Sequence, residues 1–203
     1  MKVGPKYKLA KRLGPSIFEK TQTQKFALAQ ERAQMKRTGR GRAPSEYGKQ
    51  LLEKQKVRVT YGLSESQFGG YVKKAMSTHG RVPIAILNEL IEMRLDNVVY
   101  RIGLTKTRRA ARQMVSHGHI TVNGVRSTIP SRAMRVGDAI GIRAGSMNTV
   151  LFENHEEAFK ERQVPSWLSW NAKTMQGEVR EVPPFDESLT AGDLHTVLSF
   201  YSR

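Results

Sequence analysis

Cysteine is absent from the 203 residues. That excludes disulfides, a thiol nucleophile, and zinc or iron–sulfur centres held by thiolates. No apolar run approaches the roughly 18 residues of a membrane span. The basic start, Met1 to Leu9, is not followed by the apolar stretch of a signal peptide. Pro5 and Pro15 argue against the amphipathic helix that a transit peptide needs. Hydrophobic residues are 38% of the chain, a modest share for a globular enzyme. Acids are scarce, 18 against 34 Lys and Arg, for a formal net charge of +16. Such an excess points to a polyanionic partner, nucleic acid or an anionic membrane surface.

The charge is segregated. Residues 1–60 hold 16 bases and 4 acids, residues 61–100 four of each, residues 101–143 nine and one, and residues 144–203 five and nine. Two basic segments therefore flank a neutral one, and the chain ends in an acidic segment. A merely solubilising surface would mix the signs.

Residues 1–44 are poor in core formers and rich in Gly, Pro, Lys and Arg. They predict a basic extended arm, irregular except for one short helix near Ser16–Arg37, and ordered only on a phosphate backbone. Thr38 to Pro44 reads as a flexible basic linker. Ser45 is placed to cap a helix to about Val59. Ser64-Glu65-Ser66-Gln67 has capping-box spacing for a helix to Thr78. Pro83 suits a first helical position. Ile84, Leu87 and Ile91, with Ile86, Leu90 and Met93, then mark a buried helix.

From Arg94 the texture changes. Leu95, Val98, Val99 and Ile102 share one helical face, with Arg94 and Arg101 beside it. Gly103 ends that helix and Thr105 is read as the cap of the next, Lys106–His117, stopped by Gly118. On this second helix Ala110, Ala111, Met114 and Val115 are expected to face the core. Arg108, Arg109 and Arg112 fall on a narrow opposite stripe. With no acid in residues 101–137 to neutralise it, the stripe is expected to point into solvent, so changing all three to Gln should spare the fold. Asn123-Gly124 between β-branched residues predicts a hairpin, and Val136-Gly137-Asp138 a turn before a short strand. Residues 149–162 read as an acidic helix. Gly177 to Val179 looks strand-like, and Leu194 to Tyr201 an apolar helix docking on the core.

These motifs carry a resemblance. Arg94-Leu95-Asp96-Asn97-Val98-Val99-Tyr100-Arg101, then Thr107 to Gln113, then His119-Ile120-Thr121-Val122-Asn123-Gly124, resemble the S-four RNA-binding module. Tyr47-Gly48-Lys49-Gln50-Leu51-Leu52 and the terminal Phe200-Tyr201-Ser202-Arg203 are similar to the bacterial-type S-four ribosomal protein family. The resemblance covers almost the whole chain. It implies an α+β protein: a helical domain, discontinuous in sequence, with an inserted S-four module carrying a small β element, behind the basic arm. The expected divisions are 1–44 arm and linker, 45–93 helical domain, 94–145 module, and 146–203 acidic helix and returning segment.

The family resemblance implies a non-enzymatic primary binder of small-subunit ribosomal RNA that nucleates assembly at a junction in the 5′ domain. It further implies contact with ribosomal protein S-five, other small-subunit proteins and messenger RNA where it enters the subunit, with no membrane. Candidate RNA-binding residues are Arg94, Arg101, Lys106, Thr107, Arg108, Arg109, Arg112 and His117 in the module, and Lys49, Lys54, Lys56 and Arg58 in the helical domain. Lys6, Lys8, Lys11 and Arg12 are the candidates in the arm. Arg40 and Arg42 are the candidates for the messenger-RNA channel. Many family members carry a cysteine zinc knot near the N-terminus. Residues 1–44 here hold neither Cys nor His, so no metal and no cofactor is expected. His117 and His119 lack a third ligand nearby in sequence, and the other histidines are isolated.

Two rival classes remain. Arg94-Leu95-Asp96 matches a triplet whose Asp is the nucleophile of pseudouridine synthases that carry an S-four module. Here it opens the RNA-binding module itself, and Asp96 is expected to be a structural partner for a nearby arginine or a backbone amide. A DNA-binding regulator would need a dimer element that is not evident. RNA's narrow major groove instead favours recognition through shape and phosphates.

Overall fold

A computed structural model describes residues 4–35, 45–147, 149, 151–152, 164–186 and 191–202. The chain divides into two compact units, Met1–Leu87 with Asp186–Arg203, and Asn88–Phe185. The division is that of an α+β protein with one helical part and one part built round a sheet. The linker 38–44, with Arg40 and Arg42, and residues 150 and 153–162 of the expected acidic helix lie outside the described residues.

The first unit is helical. Helix α1 spans Lys6–Leu13 and α2 spans Gln24–Met35, joined through two 3₁₀ turns at Pro15–Ile17 and Glu19–Thr21. The described part of the N-terminal segment is therefore not an irregular arm. Ala10, Leu13, Ile17 and Phe26 are buried, and Leu13 and Ile17 cluster with Val59. Only these few apolar side chains of the segment are buried, while Tyr7, Leu28 and Met35 stay exposed, so its composition gives little sign of the packing. Helix α3, Glu46–Thr60, starts at Ser45, whose Oγ accepts from the Gly48 amide at 3.2 Å. Helix α4, Glu65–Ser77, starts at Ser64, and the reciprocal capping box with Gln67 is present. Helix α5, Pro83–Glu92, carries the chain from the first unit into the second.

The second unit opens with α6, Leu95–Ile102, whose N-cap Arg94 makes no side-chain capping bond. The segment 130–134 satisfies its first amides instead. Leu95 N–H donates to the Arg132 carbonyl and Asp96 N–H to that of Pro130, at 2.9 and 3.0 Å. Gly103, at φ +99°, ends α6, where a side chain would be strained. Helix α7 spans Arg108–Ser116 and is capped by Thr107, whose hydroxyl accepts from Ala110 N–H at 3.1 Å. Thr105 does not cap; its hydroxyl donates to the Thr107 carbonyl and shapes the preceding loop. Leu95, Val98, Val99 and Ile102 are fully buried, as are Ala111 and Val115, whereas Ala110 faces solvent.

Strands β1 (Ile120–Val122), β2 (Val125–Ser127), β3 (Ala139–Ile142), β4 (Leu168–Asn171) and β5 (Gln176–Val179) form one antiparallel sheet in the order β2-β1-β3-β5-β4. A four-residue helix α8, Ala144–Met147, follows β3. Asn123 and Gly124 both have positive φ, 53° and 79°, the geometry of a two-residue type I′ hairpin. The Asn123 side chain also donates to Asp138 and accepts from Ala139 N–H, both at 2.8 Å, tying the hairpin to the start of β3. The sheet enlarges the expected module. Residues 164–179 do not return to the helical part; β5 pairs with β3 through Ala139–Glu178, Ile140–Gly177 and Gly141–Gln176. Ile120, Val122, Ile140, Leu168 and Val179 line the sheet side of a core completed by α6 and α7. Each fully buried aliphatic side chain there contributes about 1.5–3 kcal/mol. The last helix, α9, Leu194–Tyr201, belongs to the first unit and packs along α3.

Candidate RNA-binding site

The module's cations gather where α6 and α7 meet, over a layer of buried polar groups. Asp96 is 3% exposed. Its carboxylate accepts from Arg94 Nε and Nη2 at 3.0 and 2.9 Å, and from Arg112 Nε and Nη2 at 2.8 and 2.6 Å. Glu92, equally buried, accepts from Arg101 Nε and Nη2 at 2.8 and 2.7 Å and from Asn97 Nδ2 at 2.8 Å. Asn97 Oδ1 in turn accepts from Arg108 Nε at 2.9 Å, and the Arg108 guanidinium lies 4.4 Å over the Tyr100 ring.

This geometry changes the roles expected of several residues. Arg94 is only 3% exposed and committed to Asp96, so its guanidinium presents no face to a phosphate. The stripe on α7 is not three equivalent solvated cations. Arg109 is exposed, as is Lys106 at the helix entrance. Arg108 and Arg112 lean back onto α6, and the Arg112 side chain keeps 27% exposure. The neutralising acid lies outside the basic segment, sixteen residues back along the chain. Arg101 likewise keeps 20% exposure beside Glu92. Thr107 serves as the helix cap. His117 is exposed at the far end of α7, and its carbonyl accepts from Arg126 Nη2 at 3.2 Å. Arg126 was not foreseen. Its guanidinium lies across Gly118 so closely that a Cβ there would sit 2.1 Å from Nε.

In the first unit the candidates divide in the same way. Lys8, Lys11 and Arg12 are exposed on α1, whose other side holds Ala10 and Leu13, while Lys6 is half-buried with its ammonium 5.8 Å from the Phe18 ring centroid. Lys49 is exposed beside Glu46. Lys54, by contrast, is buried. Its ammonium meets Glu65 at 2.6 Å and lies 4.5 Å from the Phe200 ring centroid, so it braces α9 and offers no free charge. Lys56 pairs with Glu53, and Arg58 with Gln55 and Glu65. Glu65 also accepts from Tyr201 Oη at 2.8 Å. Desolvation alone would raise the Glu65 pKa. Hydrogen bonds from Lys54 and Tyr201, with the charges of Lys54 and Arg58, outweigh it and hold the carboxyl below its ordinary value. Burial, and then the bond to Glu65, push the Tyr201 phenol up. The terminal aromatic motif is thus structural.

Among the described residues no group of three or more His, Asp or Glu comes together to hold a metal, and no helix is long and apolar enough to cross a membrane. Trp167 and Trp170 belong to the core of the second unit.

Comparison with known proteins matches residues 2–92 to the ribosomal protein S4/S9 N-terminal domain and residues 93–140 to the S4 domain. The small ribosomal subunit protein uS4 of Roseiflexus castenholzii is 41% identical over 203 residues, covering 99% of this chain and 98% of that protein. The chain belongs to the uS4 family. The uS4 of Herpetosiphon aurantiacus is 42% identical over 207 residues, with 98% of each chain covered. That of Thermus thermophilus is 39% identical over 206 residues, 99% of this chain and 98% of the relative. A uS4 match of this extent makes the chain a structural ribosomal protein and decides against the synthase alternative. Asp96, the would-be nucleophile, is instead buried between Arg94 and Arg112. The S4 domain match ends inside β3, so the β4–β5 pair extends the sheet beyond the matched region.

Proposed function

We propose that this uS4 protein is a primary binder of small-subunit ribosomal RNA. It nucleates assembly by fixing RNA helices that meet at a junction in the 5′ domain. The observation that carries this reading is the cation row on α7 inside the S4 domain match, with Lys106 and Arg109 exposed beside the anchored Arg108 and Arg112. Guanidiniums grip phosphate oxygens with charge-assisted, bidentate geometry. Lys8, Lys11 and Arg12 on α1 form a second basic face on the other unit. The family resemblance supports the finer parts: contact with S-five, and a contribution to messenger-RNA entry and decoding accuracy in which Arg40 and Arg42 face the channel. The ribosome is of the bacterial type, as in the relatives above.

Footprinting of a small-subunit ribosomal RNA transcript with and without the protein tests this. Protection confined to helices around one junction is expected, and it should fade when Lys106 and Arg109 are both changed to Gln. Diffuse protection, or none, would overturn the reading.

A further inference from the structure

Two carboxylates lie beneath a surface that should repel them. Glu92 and Asp96 each remove one positive charge from the α6–α7 face, and a long-range field argument would have them weaken RNA binding. We infer that they strengthen it: Glu92 and Asp96 are positioning residues that fix Arg101, Arg108 and Arg112 in the arrangement the RNA meets. This inference rests on the RNA-binding reading of that face.

The geometry carries the argument. Arg101 and Arg112 are each held by two nitrogens to a single carboxylate, at 2.6 to 2.8 Å. Arg101 meets both oxygens of Glu92, a fork that fixes the plane of its guanidinium as well as its position, and the two bonds of Arg112 converge on Oδ2 of Asp96. Arg108 is held through Asn97, itself held by Glu92, so one buried acid orders arginines from both helices. The carboxylates are nearly inaccessible, while Arg101 and Arg112 keep a fifth to a quarter of their side-chain surface in solvent. The layer remains cationic, since Arg94, Arg101, Arg108 and Arg112 outnumber Glu92 and Asp96. A buried ion pair adds little to stability compared with apolar packing of the same volume. Its contribution here is order. The rotamer freedom of these long side chains is surrendered on folding, so less is lost when phosphate arrives. Among the described residues no acid anchors Arg109 or Lys106 in this way, and they have that freedom still to lose.

The test is equilibrium binding of the full chain to a small-subunit ribosomal RNA transcript, across a salt series, for Glu92→Gln, Asp96→Asn and the exposed control Glu181→Gln. Each amide keeps the shape of its site and an oxygen for the arginine, and a melting curve verifies that binding is measured on folded protein. Glu181→Gln should bind as the parent does or slightly tighter. Glu92→Gln should bind more weakly by on the order of 3- to 10-fold, in the lower part of the range of couplings between residues in contact. Its slope of log affinity against log salt should flatten by up to about 0.7–0.9, one phosphate contact. In an Arg101→Gln background the Glu92→Gln effect should shrink, because the acid acts through that arginine. Asp96→Asn gives an independent reading through Arg112. Folded variants that bind as tightly as the control, or tighter, would overturn the inference. Loss of affinity that persists undiminished without Arg101 would overturn the stated route. If the Lys106 and Arg109 changes leave binding untouched, the RNA reading itself fails, which is a separate outcome.

Discussion

Arg109 and Arg112 lie three residues apart on one helix and carry the same charge, yet replacing each by Gln should have unequal consequences for the fold. Arg109 is exposed, and a surface change of this kind stays within about 0.5 kcal/mol. Arg112 donates two hydrogen bonds to Asp96 Oδ2, and the Asp96 side chain is 4% exposed. Breaking a buried pair costs about 3–5 kcal/mol when the remaining charge has no partner. Arg94 still holds Asp96 and Arg112 is partly solvated, so roughly 1–2 kcal/mol is the reasonable figure by the same principle. For a chain of this size each kcal/mol lowers the melting temperature by about 2–4 °C, so Arg112→Gln should melt roughly 2–8 °C lower. Arg109→Gln should melt with the parent. Arg112→Lys keeps the charge but loses the paired hydrogen bonds, and should recover only part of the difference. Far-ultraviolet circular dichroism at neutral pH measures all of these without RNA. Equal melting temperatures for Arg109→Gln and Arg112→Gln would refute the reasoning, since the stripe would then be the uniformly solvated surface its sequence spacing suggests.

Other consequences are as direct. The Glu65 pKa is lowered on folding, so its contribution to stability is complete above its unfolded value and is lost as pH falls through the lower folded one. Urea midpoints taken between about pH 3 and pH 6 should therefore fall less steeply on acidification in Glu65→Gln than in the parent; parallel curves would contradict the assignment. A Cβ at Gly177 would lie 2.2 Å from the Ser169 carbonyl oxygen and 2.7 Å from the Trp170 ring. Gly177→Ala should thus part β4 from β5 and cost about 1–3 kcal/mol or more, whereas Gly124→Ala, in open space but at φ +79°, should cost about 1–2 kcal/mol from backbone strain alone. Chemical denaturation ranks the two, and the reverse order would count against the close approach. Finally, Lys106→Gln with Arg109→Gln should reduce the slope of log affinity against log salt by up to about 1.8 if each cation neutralises one phosphate. An unchanged slope would remove both from the interface.

Local chemistry was legible wherever a few adjacent residues settle the backbone. Ser45, the Ser64 box, Gly103, Gly118 and the Asn123-Gly124 hairpin each act through neighbours within four positions, and each stands where its spacing places it. What escaped is tertiary. A structural partner for Asp96 is legible in its neighbour Arg94, but charge counted by segment sets Glu92 and Asp96 in a neutral stretch and Arg101 and Arg112 in a basic one, so the pairs that cross that boundary are hidden. The cap moved from Thr105 to Thr107 because both hydroxyls fit the pattern, and only the fold decides which reaches the Ala110 amide. In residues 4–35 the apolar side chains are too sparse to announce a core, yet α1 and the 3₁₀ turn at Pro15–Ile17 bury theirs against α3. Lys54 reads as a surface cation on α3, and becomes a buried one only because α9, from the other end of the chain, closes over it.

The sheet order has a consequence for the protein while it is being made. Strand β3 receives its second neighbour from β5, which the ribosome polymerises later. At about 5–20 residues per second, the stretch from Ile142 to Val179 takes on the order of 2–7 s to synthesise. For that interval the nascent hairpin and β3 can pair, but one side of β3 offers bare amides and carbonyls to any extended chain nearby. Crowded polysomes bring such chains close. An unpaired strand edge of this kind is a template for pairing with another chain, and it lasts until residues 168–179 have been made. The β4–β5 pair thus closes a temporary vulnerability of synthesis.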